Sequence, residues 1–304
     1  MESERIIIEM LKIFQAPLAL GSFSNGVDQG PEVMLREGLQ HALQYNGIES
    51  EVFEPIEVRG EPHDKVKLRN YDAVIEFNKE LLAQIIGNTD PADVALSLGG
   101  DHSIGMGTML ATKRRHSDAC IVYIDAHPDC SNPEETLTGN LHGMPLSTAL
   151  GDALHSEFGG EHYNYDEVII VGAKDMDEHE VRYMKDNDIH YITMDDITAK
   201  GIAQIVEEVK QIVGDRPVHA ALDIDSIDES EAPGTGIINQ GGLSFREVSY
   251  LCRQLAACKI VALDVVEVNP ARDRELMTVH LAIELATNLM GGEWSKYTRY
   301  LESH

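Results

Sequence analysis

Four short apolar runs in this chain each stop at a carboxylate or a histidine, and no other feature limits the fold as much. Val94-Ala95-Leu96-Ser97-Leu98 leads through Gly99-Gly100 to Asp101-His102, and Cys120-Ile121-Val122-Tyr123-Ile124 leads to Asp125-Ala126-His127-Pro128-Asp129. Val218-His219-Ala220-Ala221-Leu222 leads to Asp223-Ile224-Asp225, and the run from Ile260 to Val266 leads to Glu267. Short β-branched and aliphatic runs of this kind are the pattern of strands buried on both faces in a parallel sheet. Ligands in open α/β sheets collect at the carboxyl ends of the strands. The polar ends of the four runs are therefore predicted to meet.

The segments between the runs carry helical periodicity. Gly30-Pro31 followed by Glu32 to Gln44 predicts a helix entered through proline, Tyr71 to Ile86 an amphipathic helix, and Gly201 to Val213 another. Ser244-Phe245-Arg246-Glu247 has the spacing of a capping box and predicts a helix through Ala256. Strands alternating with helices imply βαβ crossovers, an α/β fold of three layers, α/β/α, around a mainly parallel sheet.

Spacing gives the strand ends a chemistry. A strand alternates its faces with a period of two, so Asp125, His127 and Asp129 are expected to start out in one direction, as are Asp223 and Asp225. With His102 the set comprises two imidazoles and four carboxylates without a thiolate. That suits Mn²⁺, Fe²⁺, Co²⁺ or Zn²⁺ in a hydrolytic role better than a structural zinc. One ion cannot use all six comfortably, whereas two ions roughly 3.5 Å apart can share carboxylates and activate a bridging water. Any one aspartate after a strand is ordinarily a turn or cap residue. Burying this many together without cations would cost several kcal/mol each, so the set as a whole predicts a binuclear metal site.

The segments Gly99-Gly100-Asp101-His102-Ser103, Asp125-Ala126-His127-Pro128-Asp129, Gly139-Asn140-Leu141-His142-Gly143, Asp223-Ile224-Asp225 and Glu267-Val268-Asn269-Pro270 resemble the signature blocks of the ureohydrolases, the family of arginase, agmatinase and formiminoglutamase. They occur in the family's order, and the similarity runs from Gly26-Val27-Asp28-Gln29-Gly30-Pro31 to the helix around Thr278-Val279-His280. The resemblance implies the arginase/deacetylase-like fold and two Mn²⁺ per subunit. His102, Asp125, Asp129 and Asp223 would hold one ion and Asp125, His127, Asp223 and Asp225 the other. It further implies hydrolysis of a guanidinium-type carbon to release urea, Asp129 also accepting a hydrogen bond from the attacking oxygen. His142, in a loop between glycines, would carry a proton to the leaving amine, since imidazole titrates near neutral pH. Glu267 would face the planar guanidinium, which a carboxylate matches with paired hydrogen bonds.

Within the family the stretch Cys130 to Leu141, ending Thr-Gly-Asn-Leu-His-Gly, is most similar to the arginase type. So is Lys174-Asp175-Met176-Asp177-Glu178-His179-Glu180, where Asp177 and Glu180 match positions that recognise a substrate α-ammonium. Ser131, Thr136 and Thr138 match donors to an α-carboxylate. Departures accompany these matches. Ser131 replaces an asparagine, Cys130 an aliphatic residue and Lys174 an arginine, while Glu134 and Glu135 bring negative charge towards the carboxylate end. The expected reaction is L-arginine to L-ornithine and urea. Agmatine, a guanidino acid such as 4-guanidinobutyrate, or formiminoglutamate is the alternative substrate, while a single-zinc deacetylase-like hydrolase or a non-catalytic regulatory homologue would not need the full ligand set.

Composition fits a metabolic enzyme. The chain has 304 residues, 43% of them hydrophobic, with no linker or repeat, and is expected to form one domain over 1–304. A formal net charge of −28 makes nucleic acid and anionic membranes poor partners. Cys120, Cys130, Cys252 and Cys258 form no CxxC pair, and Met1-Glu2-Ser3-Glu4-Arg5 opens nothing like a signal peptide. These imply a cytoplasmic protein, and the family implies a homotrimer or homohexamer.

Overall fold

A computed structural model describes residues 10–59 and 67–294, so the opening pentapeptide read for a leader lies outside the described residues. Its centre is an eight-stranded sheet: β1 (Leu11–Ala16), β2 (Ser50–Val52), β3 (Val94–Gly99), β4 (Cys120–Ile124), β5 (Val168–Ala173), β6 (His190–Thr193), β7 (Val218–Asp223) and β8 (Ile260–Val266). The strand order is β2-β1-β3-β8-β7-β4-β5-β6, and every pairing is parallel. The four runs that end in polar residues are thus β3, β8, β7 and β4, the four adjacent strands at the middle. Their carboxyl ends lie side by side.

Ten helices cover the two faces: α1 (Gly30–Arg36), α2 (Leu39–Tyr45), α3 (Tyr71–Asn88), α4 (Gly105–Arg115), α5 (Pro145–Ala149), α6 (Glu178–Asp186), α7 (Met194–Lys200), α8 (Ile202–Val213), α9 (Phe245–Leu255) and α10 (Met277–Leu289). Alternate strand residues feed two sides. Leu96, Leu98, Val122, Ile124, Ala220, Leu222, Leu263 and Val265 pack with α1, α2 and α7 to α10. Phe14, Ala95, Ile121, Tyr123 and Ala221 face α3 to α6. That confirms the three-layer arrangement, and each fully buried aliphatic side chain contributes roughly 1.5–3 kcal/mol to it.

The helix predicted from Gly30 to Gln44 is two helices. Gly38 takes φ +107, a left-handed value open to glycine, and turns the chain between α1 and α2. Ser244 and Glu247 form the predicted capping box of α9, and α3 and α8 fall where periodicity put them. Gly100, just after β3, is required by space: a Cβ there would sit 1.8 Å from the Leu18 carbonyl oxygen. No helix among the described residues is long and apolar enough to cross a membrane.

Candidate metal centre and active site

The ligands converge by turns rather than by pleat. β4 ends at Ile124, so Asp125, His127 and Asp129 lie beyond the strand, and only Asp223 of its pair is still in β7. The alternation expected for extended chain does not apply. Instead Asp125 Oδ1 accepts the His127 N–H at 2.7 Å and Asp223 Oδ1 accepts the Asp225 N–H at 2.8 Å. Asp101 Oδ1 takes the Ser103 N–H at 3.0 Å in the same way. Each is an aspartate folding back on the backbone two residues on, a turn that these side chains favour. Asp129 then adopts φ +50, a left-handed value that costs a non-glycine residue of order 1–2 kcal/mol.

The resulting cluster has too many acceptors for its donors. His102 Nδ1 lies 2.9 Å from Asp125 Oδ2, 3.1 Å from Asp223 Oδ2 and 3.3 Å from Asp129 Oδ2. One ring nitrogen carries at most one proton, so at most one of these oxygens is well served. On the other side of Asp125, His127 Nδ1 lies 3.5 Å from Asp125 Oδ1 and 3.1 Å from Asp225 Oδ2. Asp125 Oδ2 and Asp225 Oδ1 are buried without a hydrogen-bond partner. A cation removes the conflict. His102, Asp125 and Asp129 can hold one, and Asp125, His127 and Asp225 can hold another; within each group the donor atoms lie within 4.8 Å of one another, and Asp125 belongs to both.

The titration of these groups carries the same message. Burial, then the charges of Asp225 and Asp129, push Asp125 up to about 6, and burial with Asp225 and Asp125 drives Asp223 well above its usual value. Burial works against the cations of His102 and His127, yet the surrounding carboxylates hold both well above the ordinary imidazole range. Asp129 is buried too, but its hydrogen bond with His102 and the nearby imidazoles hold it below. The pocket is a negative well that keeps protons where ions would otherwise sit.

Beside the cluster, His142 Nδ1 lies 3.3 Å from Glu267 Oε1. Burial opposes a charged His142, but the hydrogen bond and charge of Glu267 outweigh it and place the imidazole at about 9. Gly139, in the loop leading to His142, has φ +76, and a Cβ there would meet the Lys67 carbonyl oxygen at 1.9 Å. Glu267 itself has φ +61, its Oε1 accepts the His102 N–H at 3.1 Å, and its Oε2 is buried without a partner. A left-handed glutamate at the end of a central strand is backbone strain placed beside the cluster.

A cavity of about 160 Å³ opens over this floor. His102, His127, Asp129, His142, Asp223 and Asp225 reach it from below, and Ser131, Thr136, Thr138, Asp177 and Glu180 line its wall. The structure thus brings all the wall residues singled out in the sequence to one cavity. Thr136 and Thr138 accept backbone N–H groups of Gly139 and Asn140, which leaves their hydroxyl protons free to donate. Glu180 is more committed: its two oxygens accept the N–H groups of Cys130 and Asp177, and burial raises it to about 7.

Three features escaped the sequence reading. Tyr123, on the same face of β4 as the apolar core, stacks on His102 with ring centroids 4.7 Å apart and donates to Asp129 Oδ2 at 2.7 Å. A tyrosine two residues before a predicted ligand was the available signal. Arg182 pairs with Glu135 at 2.5 Å, so that glutamate's charge is met rather than free near the cavity. Lys174 donates to Asn239 Oδ1 at 2.9 Å and to the Gln240 carbonyl, which fastens the loop after β7, whose Ile237 lines the cavity.

Known proteins supply the class. The Arginase family model matches residues 10–291. The arginase of Staphylococcus aureus is 32% identical, over 92% of this chain and 97% of its own length, and that of Bacillus caldovelox is 33% identical over 92% and 98%. A crystal structure of Bacillus subtilis arginase superposes with a TM-score of 0.89 at 32% identity, covering 94% of this chain and 99% of that one. The chain belongs to the arginase family and is an enzyme of the ureohydrolase kind, a hydrolase acting on a small molecule.

Proposed function

We propose that the enzyme hydrolyses L-arginine to L-ornithine and urea, with two Mn²⁺ per subunit. The observation that carries this reading is Asp125, shared by two groups of ligands beneath a cavity lined by the carboxylates of Asp177 and Glu180 and the hydroxyls of Ser131, Thr136 and Thr138. His102, Asp125, Asp129 and Asp223 would hold the first ion, and Asp125, His127, Asp223 and Asp225 would hold the second. When bound, the ions supply Lewis acidity that makes a water reactive at neutral pH.

The remaining steps belong to side chains. Glu267, with Oε2 buried and unpartnered, accepts N–H donors of the guanidinium and turns its carbon towards the attacking water. Asp129 accepts a hydrogen bond from that water. His142, held protonated at neutral pH by Glu267, gives its proton to the leaving amine nitrogen. Asp177 and Glu180 accept from the α-ammonium, and Ser131, Thr136 and Thr138 donate to the α-carboxylate. The chain acts as one domain, 1–304, in a cytoplasmic homotrimer or homohexamer, without nucleic-acid or membrane partners.

A second reading is favoured by Glu180, both of whose oxygens already serve backbone donors and so offer less to an ammonium: a guanidinobutyrase or formiminoglutamase type, whose substrate has no free ammonium, with an agmatinase, whose substrate lacks the carboxylate, as the further alternative. Urea release in Mn²⁺ from L-arginine, agmatine, 4-guanidinobutyrate and 3-guanidinopropionate, with formamide release from formiminoglutamate, separates the two. L-arginine is expected to give the highest kcat/KM. A higher value for any other compound overturns the arginine assignment and leaves the ureohydrolase class standing.

A further inference from the structure

Ser131 brings a short hydroxyl side chain to the cavity wall, and the structure shows what stands behind it. Its backbone is fully used: the N–H donates to the Gly143 carbonyl at 3.0 Å, and the carbonyl accepts from Ser147 Oγ at 2.6 Å. Its side chain is 7% exposed, on the cavity wall, and Oγ lies 3.0 Å from His179 Nε2. His179 is in the first turn of α6, two residues after Asp177 and next to Glu180. Glu135, in the loop beside this segment, bonds to Asn132 and pairs with Arg182, three residues after His179 in α6.

A serine oxygen carries one proton and two lone pairs. When His179 Nε2 donates to Oγ, one lone pair is filled and the hydroxyl proton must point elsewhere, and the open direction is the cavity. There it meets a carboxylate as a donor. If Nε2 were bare, Ser131 would donate to it and offer only lone pairs to the cavity, which suits an amine and repels a carboxylate. The imidazole therefore decides what Ser131 can recognise.

We infer that His179 is a specificity-determining residue: by donating from Nε2 to Ser131 Oγ it turns the Ser131 hydroxyl towards the cavity and selects guanidino substrates that bear a carboxylate over guanidino amines. The inference rests on the proposed function, in which Ser131 faces the substrate carboxylate.

The test is the ratio of kcat/KM for L-arginine to that for agmatine, in the Mn²⁺-loaded enzyme carrying His179→Phe, His179→Gln, Ser131→Ala, or Ser131→Ala with His179→Phe. His179→Phe keeps a ring but has no donor, so the ratio should fall roughly tenfold, the scale of one hydrogen bond to a charged group, through a raised KM for L-arginine. His179→Gln, whose amide can donate from nearly the same place, should restore most of it. Ser131→Ala, which removes the donor itself, should lower the ratio at least as far, and the double variant no further than Ser131→Ala, because both residues act through one contact. An unchanged ratio in His179→Phe, or losses that multiply in the double variant, overturns the inference while urea release upholds the function. A wild-type enzyme that releases no urea from either compound sinks the function, and the inference with it.

Discussion

β7 carries a histidine–aspartate cluster at each end, and the two are built from the same side chains to opposite effect. At the carboxyl end, Asp223 joins His102, Asp125 and Asp129 around one ring nitrogen. Near the start of the strand, His219 Nε2 lies 3.0 Å from Asp264 Oδ2 of β8, its Nδ1 lies 2.8 Å from Thr112 Oγ1, and Thr108 donates to the same Asp264 oxygen. With the proton on His219 Nε2 and the Thr112 hydroxyl turned from the Thr108 carbonyl to Nδ1, each of the three contacts has one donor and one acceptor, and a single oxygen, Asp264 Oδ1, is left buried without a partner. The lower cluster is wholly buried against α4 and sets one carboxylate against one imidazole and two hydroxyls; the upper one crowds three carboxylates around one ring nitrogen and opens to a cavity. Donor and acceptor counting, more than residue type, separates a metal site from a core network.

The largest consequence of that difference is at Asp223. Asp223→Ala should reduce urea release to background and remove bound Mn²⁺, measured by metal analysis of the dialysed protein, while the chain stays folded. Retention of two tightly held ions would show that Asp223 is not shared between them. At the other end of the strand, His219→Ala leaves Asp264 buried without its main donor and should cost about 3 kcal/mol of stability. Metal content and kcat per folded molecule should be kept. A variant of ordinary stability with lost activity would mean that the lower cluster belongs to the site after all.

The smallest effect concerns pH in the metal-free protein. Asp125 and Asp223 bind protons more tightly folded than unfolded, and so do His102 and His127, so folding takes up protons. Stability should therefore be greatest at the acid end and decline as pH rises from 3.8 through about 6, the window set by Asp125, with Asp129 working weakly the other way. Thermal melts of chelated protein should give a higher Tm at pH 5 than at pH 7.5, and Mn²⁺ should abolish that order. Equal melting temperatures without metal would mean that the upper carboxylates are not crowded in solution.

Much of the fold was legible because its signals are local. Each central strand is a short apolar run, and each run stops at a residue that turns the chain, so β3, β4, β7 and β8 could be placed and their ends predicted to meet. β1, β2, β5 and β6 carry no ligand at their ends and did not stand out in the same way. Periodicity could not see the break at Gly38, since a glycine within a helical pattern is tolerated unless its φ turns positive.

The sequence by itself determined the candidate ligand set, its spread over three strand ends, and the order of blocks that places the chain among the ureohydrolases. An aspartate that turns back on the N–H two residues ahead is a short-range event, and the spacing of Asp125 to His127 and of Asp223 to Asp225 encodes it directly. The tertiary structure alone decided that Tyr123 braces His102 and Asp129, that Glu267 lies against His142, that Arg182 meets Glu135, and that His179 stands behind Ser131. Those partners come from different elements of the fold or from opposite sides of a loop. Which side chains meet there is set by how the strands order themselves and how the helices cover them, and no local spacing records it.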